Sequence, residues 1–472
     1  MKNVLLVNTN TEKNPYPVPP LGLCILAGIL KKTYNVHVYD GMFDNGNNLA
    51  GVIEKYNPDY VGVSIRNIDN MDVINPANYM IPVLESFIKP IRRATEAPLI
   101  LGGSAFSIFP RHFMNLYQAD YGIIGEAENA FPQLLKCLEQ GGNPGEIPFV
   151  WVKNAVALNT QASSVELNAN PYSDIDLCID YAPYRARSSY PVQTKRGCAH
   201  QCIYCTYNCI EGTTYRTRSP ELIAEEIRLA TERLGTGSFE FVDSTFNDPP
   251  GHAEAICREI IRTGINVRLR TMGINPCNAS RELFGLMRGA GFSQIDCTPD
   301  TASPSMLVSL GKNFTREDLE NTALIIRETA MPTMWFFIFG GPGETDATIR
   351  ESFDFIDSCI GKMDMVHMTC GMRIYPGTGL HRLAIEHGMI DRDDDLTETR
   401  FYFSPGIGRD RLFAMINEAS RTRPNCVPVM ESTPSAEMMR EAMRLREEER
   451  LDEPMFRTLL RIRYRMFGKE MA

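Results

Sequence analysis

Along roughly the first 140 residues, short apolar runs alternate with amphipathic stretches. Runs at 4–7, 36–39, 60–65, 98–101 and 121–124 are rich in β-branched or aromatic residues and end on polar residues or Gly, which predicts buried strands. Helical patterns fall between them, near 21–32, 49–55, 81–93 and 129–140. Strand alternating with helix predicts an α/β fold, here a doubly wound parallel sheet covered on both faces. A ligand of such a sheet lies across the carboxyl ends of its strands. The residues to watch are therefore Asn8 to Asn10, Asp40 and Gly41, Arg66 to Asn70, Gly102 to Ser107, and Gly125 to Glu128. The pair Gly102–Gly103 lets a backbone approach a bulky ligand closely, and it equally makes a tight turn. GEAEN puts a Gly at a helix start, where backbone N–H groups can meet phosphate.

Residues 146–189 carry Pro, Asn and Ser with little periodicity, and they read as a linker after a first domain of 1–145. A second alternating region begins at Tyr190. SPELIAEEIRLATERL has a Ser cap at Ser219, a Pro at the first helical position and an apolar stripe of Ile223, Ile227, Ala230 and Leu234. Strand patterns recur at 239–242, 267–271, 294–297, 335–339 and 365–368, with helical patterns at 253–262, 281–289, 319–328 and 349–360. That repetition predicts a whole or partial β/α barrel over 190–388, with chemistry on the loops after the strands. The region 389–472 is mixed and ends in charged helical sequence, and it is expected to contribute to a substrate site.

Composition narrows the setting. Hydrophobic residues make up 43% and charged residues 22%, ordinary values for a globular chain of 472 residues. A net charge of −10 argues against bulk attraction to nucleic acid. Thirteen cysteines, an odd number in a long chain, do not form a disulfide framework pattern, so a reducing cytoplasm is the expected location. The start, MKNVLLVNTN, has no signal-peptide core, and no apolar run is long enough to cross a bilayer. Near the end, Arg457, Arg461, Arg463 and Arg465 interleave with Leu459, Leu460 and Met466. Such a helix face is either solvated and balanced by the acidic 447–453 stretch, or able to meet an anionic surface.

The strongest chemical signal is the run KRGCAHQCIYC, which sets Cys198, Cys202 and Cys205 in a Cys-x3-Cys-x2-Cys spacing. Three thiolates on one short loop can ligate three irons of a [4Fe–4S] cube and leave the fourth iron open. A zinc knuckle is the alternative, with His200 or Cys209 near enough to complete it. The context resembles the radical S-adenosylmethionine (SAM) enzymes over roughly 190–388. RGCAHQCIYC matches that family's cluster loop, with Tyr204 as the aromatic that borders adenine. FEFVDSTFN matches the second-strand motif, where the resemblance assigns Asp243 to the SAM amino group. DTASPSMLVSLGKNFT resembles the ESGS-type segment, with Asp300 in place of the commoner Glu and Ser303 at the following Ser. FFIFGGPGET resembles the strand end where Ile338 and Gly340 pack beside adenine, and RIYPGTGL resembles the barrel's closing segment.

PPLGLCILAGILKK, VHVYD, VGVSIRN, LGGSAFS and YGIIGEAENAFPQLL together resemble the Rossmann-like cobalamin-binding domain fused to many radical SAM proteins. The resemblance implies cobalamin contacts at Asn10, Arg66, Asn67, Gly102, Gly103, Ser104, Gly125 and Glu126. The Asp-x-His-x-x-Gly motif that supplies a lower axial His is absent, and His37 and His112 sit off the expected loops. Arg66 is then the candidate neighbour of the cobalt's lower face. The family resemblance implies a cobalamin-dependent radical SAM C-methyltransferase. One SAM would methylate cobalamin, and a second would yield a 5′-deoxyadenosyl radical at the cluster, with Cys198, Cys202 and Cys205 as the catalytic ligands. Relatives with the same cofactors instead cyclise, contract or oxidise rings without methylation. A cobalamin or SAM sensor without turnover would be expected to lose a cluster cysteine or SAM motif, and all are present. An external donor of flavodoxin or ferredoxin type would supply electrons. The substrate, a small molecule or peptide, is not encoded in any motif.

Overall fold

The computed structural model describes residues 1–155, 158–160, 165–169, 172–428 and 433–468. The first sheet has the order β2-β1-β3-β4-β5-β6, built from β1 (Asn3–Asn8), β2 (Asn35–Asp40), β3 (Tyr60–Ser64), β4 (Leu99–Gly102), β5 (Tyr121–Ile123) and β6 (Val150–Val152). β1 to β5 run parallel and match the five expected strands, while β6 pairs antiparallel with β5. β6 lies in the stretch expected to be linker. Its VWV is too short to show a period, and only the exposed edge of β5 makes it a strand. The strand order reverses at β1, so the crevice outside the carboxyl ends of β1 and β3 is the switch point where such sheets take ligands.

The second sheet contains seven parallel strands in the order β17-β14-β13-β12-β11-β10-β7. They are β7 (Tyr190–Val192), β10 (Ser238–Phe241), β11 (Arg268–Ile274), β12 (Phe292–Asp300), β13 (Thr333–Phe339), β14 (Met365–Cys370) and β17 (Cys426–Pro428). Two short antiparallel pairs decorate it, β8 (Lys195–Arg196) with β9 (Arg216–Thr217) and β15 (Met372–Arg373) with β16 (Phe401–Tyr402). β7 and β17 are the two edges, which makes the sheet a partial barrel. One face of the strands, including Phe239, Phe241, Leu269, Ile295, Trp335, Phe337 and Phe339, packs into the main core against the surrounding helices. Because successive side chains alternate, Glu240, Arg270, Asp296, Phe336 and Ile338 face the lumen.

The C-terminal helices Ala436–Glu449 and Met455–Met466 close the other end. Phe456, Leu460 and Tyr464 pack on Met365 and Val427. Asp452 pairs with Arg268 at 2.6 Å and Arg457 with Asp364 at 3.1 Å, so this hairpin lies at the amino ends of β11 and β14. It stands at the opposite end of the strands from the cysteine loop. Its arginines are engaged within the chain, Arg461 with Glu453, Arg465 with Glu449 and Arg463 with the carbonyls of Pro424 and Cys426.

The two sheets share a core. Leu5, Val63, Ile65 and Ala105 belong to the same apolar cluster as Met306, Leu310, Met372, Leu380 and Tyr402. A buried ion pair crosses the seam: Arg373 Nε lies 2.9 Å from Asp69 Oδ2, and both side chains are almost wholly shielded. Asp69→Ala is expected to cost about 3–5 kcal/mol, because it leaves a buried guanidinium uncompensated. Urea unfolding measures this, and Asp69→Leu with Arg373→Met is expected to recover most of the loss. A single-variant cost below about 1 kcal/mol would mean the pair does not hold the seam.

Candidate functional site

The three cysteines stand on the loop between β8 and β9. Gly197 opens it at φ +88°, and a Cβ there would lie 2.1 Å from the Thr214 carbonyl oxygen, so only glycine fits. The Cys198 N–H donates to the Gly212 carbonyl (3.1 Å) and the Cys205 N–H to the Cys202 carbonyl (3.2 Å). Ile203 is clamped from both sides, its N–H on Leu310 O (3.1 Å) and its carbonyl taking the Leu380 N–H (2.8 Å). Asp243 holds the base of the hairpin, accepting from the Thr194 N–H (2.8 Å), the Thr194 hydroxyl (2.6 Å) and the Lys195 N–H (3.2 Å). Its carboxylate is thus spent on the loop's framework, with Lys195 Nζ 3.9 Å away.

Cys198 is buried, and Cys202 and Cys205 are half-buried. Burial pushes both the Cys202 and Cys205 thiols up, the latter to about 11, with the neighbouring thiols adding to the rise. Three soft sulfur donors on one short loop fit an iron–sulfur cluster. The side chains considered for a fourth ligand are committed elsewhere or point out. His200 Nε2 lies 2.8 Å from Asp248 Oδ2 and 3.1 Å from the Asn275 amide, and Cys209 is exposed on the helix Tyr207–Glu211. Among the described residues no three His, Cys, Asp or Glu side chains close on one point as single-ion ligands.

Beside the thiols sits a polar triad. The Tyr204 hydroxyl donates to Asp300 Oδ2, and Lys312 Nζ donates to the same oxygen at 2.6 Å and to the Tyr204 hydroxyl at 3.2 Å. Asp300 takes φ +65°, uncommon for a residue with a Cβ. Lys312 is absent from the residues picked out in the sequence, although LGKN lies within the quoted motif. Ile338 packs on the same cluster as Ile203 and Tyr204, at the lumen's upper rim. Ser303 is turned away: it is fully buried at the start of the helix Pro304–Ser309, its hydroxyl on Glu351. The Gly340 N–H donates to Glu344 Oε2 (3.0 Å), whose other oxygen takes the Thr348 hydroxyl (2.9 Å).

At the switch point of the first sheet lies a cavity of about 430 Å³, lined by Asn10, Arg66 and Asn67 with Glu12, Lys13, Tyr79 and Phe87. The amides form a chain. Asn67 Nδ2 donates to Asn10 Oδ1 (3.0 Å), and Arg66 Nη1 donates to Asn67 Oδ1 (3.0 Å). Asn10 Nδ2 is buried with no hydrogen-bond partner among the described residues, an orphan donor that a polar ligand would satisfy. Gly103, at φ +98°, lies so close to Ile65 that a Cβ would stand 2.5 Å from its carbonyl, whereas a Cβ at Gly102 would make only an ordinary contact, 3.8 Å from the Ile123 carbonyl. Ser104 Oγ donates to the Arg66 carbonyl (2.9 Å) and the Gly125 N–H to Ser107 Oγ (2.9 Å). Glu126 lies at the seam, its carboxylate held by Arg196 (3.0 Å) and by both Arg216 nitrogens (2.7 and 2.9 Å). His37 stacks on Tyr56 with ring centroids 3.6 Å apart, outside the cavity. The cavity and the thiol loop adjoin. The helix Tyr207–Glu211 packs on the helix Ser104–Ile108, and Tyr207 lies within electrostatic reach of both Cys205 and Arg66.

With this geometry in view, residues 8–135 match the B12 binding domain family and residues 192–356 the Radical SAM superfamily. The chain is 24% identical to an uncharacterized methyltransferase of Pyrococcus horikoshii, over 79% of this chain and 80% of that one. It is also 24% identical to the tryptophan 2-C-methyltransferase of Streptomyces laurentii, over 81% and 74%. Its fold matches the radical SAM methyltransferase TsrM from Kitasatospora setae, solved with cobalamin and a [4Fe–4S] cluster. That match has TM-score 0.80 and 22% identity, covering 98% of this chain and 99% of the other.

One carboxyl of the site yields a pH test. Burial pushes Glu344 up to about 7 from 4.5, against the opposing Gly340 N–H and Thr348 hydroxyl. The folded chain holds this proton to higher pH than the unfolded chain, so the group lowers stability as pH rises from about 4.5 to about 7 and adds no further slope above. Glu344→Gln keeps the shape and cannot ionise. Denaturation at both ends of that window should show the variant losing less stability than the parent, by about 3 kcal/mol at most. Equal losses would remove the assigned cause.

Proposed function

This chain belongs to the cobalamin-dependent radical SAM enzymes, and we propose that it is a C-methyltransferase acting on a small molecule or peptide seated in the barrel lumen. The observation that carries the reading is the seam: the helix Tyr207–Glu211 of the thiol loop packs on the helix Ser104–Ile108 of the first domain, and Tyr207 lies within electrostatic reach of both Cys205 and Arg66, a residue of the cavity lining. When bound, the cluster with SAM supplies one-electron bond cleavage, and the corrin supplies a methyl group for transfer.

The chain's residues divide the work. Cys198, Cys202 and Cys205 hold the cluster as thiolates. Tyr204 and Ile338 offer an apolar wall for the adenine, with the Gly340 backbone at the end of the same strand. Asp300, shared between Tyr204 and Lys312, presents one carboxylate to the SAM ribose or methionine part, and Lys312 sets the local charge. Asp243 and Ser303 act as positioning residues, since both are committed to protein partners. Asn10, Arg66, Asn67 and Ser104 would hold the corrin through their polar groups, Gly102 would add little bulk beside it, and Gly103 and Gly125 shape the neighbouring turns. Glu126 positions the thiol hairpin. The absence of a His from the cavity lining supports cobalamin held without a protein axial ligand. A flavodoxin or ferredoxin type donor and a cytoplasmic setting belong to the same reading. Among the described residues no helix is long and apolar enough to cross a membrane.

Anaerobic reconstitution with iron, sulfide and cobalamin tests it. The expected result is ~4 irons per chain, stoichiometric cobalamin, and 5′-deoxyadenosine with S-adenosylhomocysteine when SAM, reductant and acceptor are supplied. Cys202→Ala is expected to abolish SAM cleavage. Asn10→Ala is expected to weaken cobalamin retention while leaving iron content unchanged. A protein that takes up no cobalamin, or that turns acceptor into an unmethylated product, would overturn the transferase reading.

A further inference from the structure

The lumen has two unlike walls. On one side Glu240 (β10), Arg270 (β11) and Asp296 (β12) face the lumen from adjacent strands; Glu240 is in register with Arg270, and Asp296 lies two residues beyond Gln294, the β12 partner of Arg270. On the other, Phe336 is in register with His367, and their rings stack 4.7 Å apart at 12°. Ile338 and Met334 continue this apolar face above and below. Burial lowers His367 to about 4, so the aromatic wall carries no charge near neutral pH.

The polar wall is unbalanced. Arg270 is neutralised by Glu240 at 2.7 Å, and Tyr16, from the loop after β1, donates to the same carboxylate at 2.9 Å while its ring lies 4.5 Å under the guanidinium. Asp296 is left over. It has no hydrogen-bond partner among the described residues, and Arg270, its nearest counter-charge, is already paired. Burial pushes its carboxyl up to about 8, and a cation placed beside it would bring it back down. Asp296 is level with Met334 and Asp300 with Phe337 across a bulge in β12, a rise of about 10 Å at ~3.3 Å per residue, which is room for a flat ring and a short arm between Asp296 and the cysteine loop.

We infer that Asp296 is the substrate-anchoring residue of the lumen, and that the acceptor is a flat-ringed amine whose ammonium meets Asp296 while its ring lies along Phe336 and His367. The inference rests on the lumen being the acceptor site of the methyltransferase. Glu240 balances the charge of the Arg270 guanidinium, so Asp296 leaves this wall with an excess carboxyl that suits a cation better than an anion.

Ring-matched pairs test this by calorimetric titration into the reconstituted enzyme without reductant: tryptamine against indole-3-propionate, and phenethylamine against 3-phenylpropionate. At least one amine is expected to bind at least tenfold tighter than its acid partner. Asp296→Asn should reduce that amine's affinity at least tenfold and leave the acid within twofold. Asp296→Ser serves as a second variant should the first fail to fold, and Phe336→Ala should weaken the amine as well. Amine and acid binding alike, no binding of either amine, or a preference that survives in the Asp296 variants would overturn the inference. An enzyme that binds amines through Asp296 yet methylates nothing would sink the transferase reading alone. One that methylates an acceptor without an amine would sink this inference alone.

Discussion

Glu126 lies where the first sheet meets the hairpin that carries the thiols. Both of its oxygens are taken by guanidinium groups, from Arg196 on β8 and Arg216 on β9, and Arg196 reaches on to Glu128 at 2.5 Å. Burial opposes the charge, yet the two arginines hold the carboxyl below its usual range. Such a cluster is costly to desolvate and stable only in one geometry. It therefore acts as a registration device: the loop after β5 and the loop bearing Cys198, Cys202 and Cys205 cannot shift independently.

That registration makes one reaction space from two folds. The residues that would hold a cluster and those that would hold a corrin are thereby kept in one fixed relation, as a shared reaction would require. The shared core of Val63, Ile65 and Ala105 with Met306, Leu310 and Leu380 removes water from the seam. The C-terminal helices seal the far end of the barrel through Phe456, Leu460 and Tyr464. The lumen is thus closed below and lidded above by the first domain, with Tyr16 reaching down to Glu240. Exclusion of stray hydrogen donors follows from this burial.

Strands whose apolar runs were long were legible in the residues, among them β1, β3 and β13. Short strands were not: VWV of β6 and CVP of β17 lack the length to show a period, and only a waiting sheet edge makes them strands. The same limit applied to side chains. Asp243 and Ser303 stand in recognisable motifs, but their polar atoms turned out to be consumed by Thr194, Lys195 and Glu351. Lys312 has no motif of its own and becomes part of the site only because a helix returns it to Asp300.

The sequence by itself determined the chemistry available. Spacing along a short loop is local, so three cysteines within eight residues, an aromatic beside the third, and glycines at obligatory turns already specify a cluster-binding loop and two alternating α/β regions. What the residues could not decide is which distant side chains share a space. Whether a carboxylate is spent or free depends on partners tens to hundreds of positions away, and those partners are chosen by packing. Tertiary structure alone set the thiol loop beside the switch-point cavity, used up Asp243 and Glu126, and left Asp296 unpaired in the lumen.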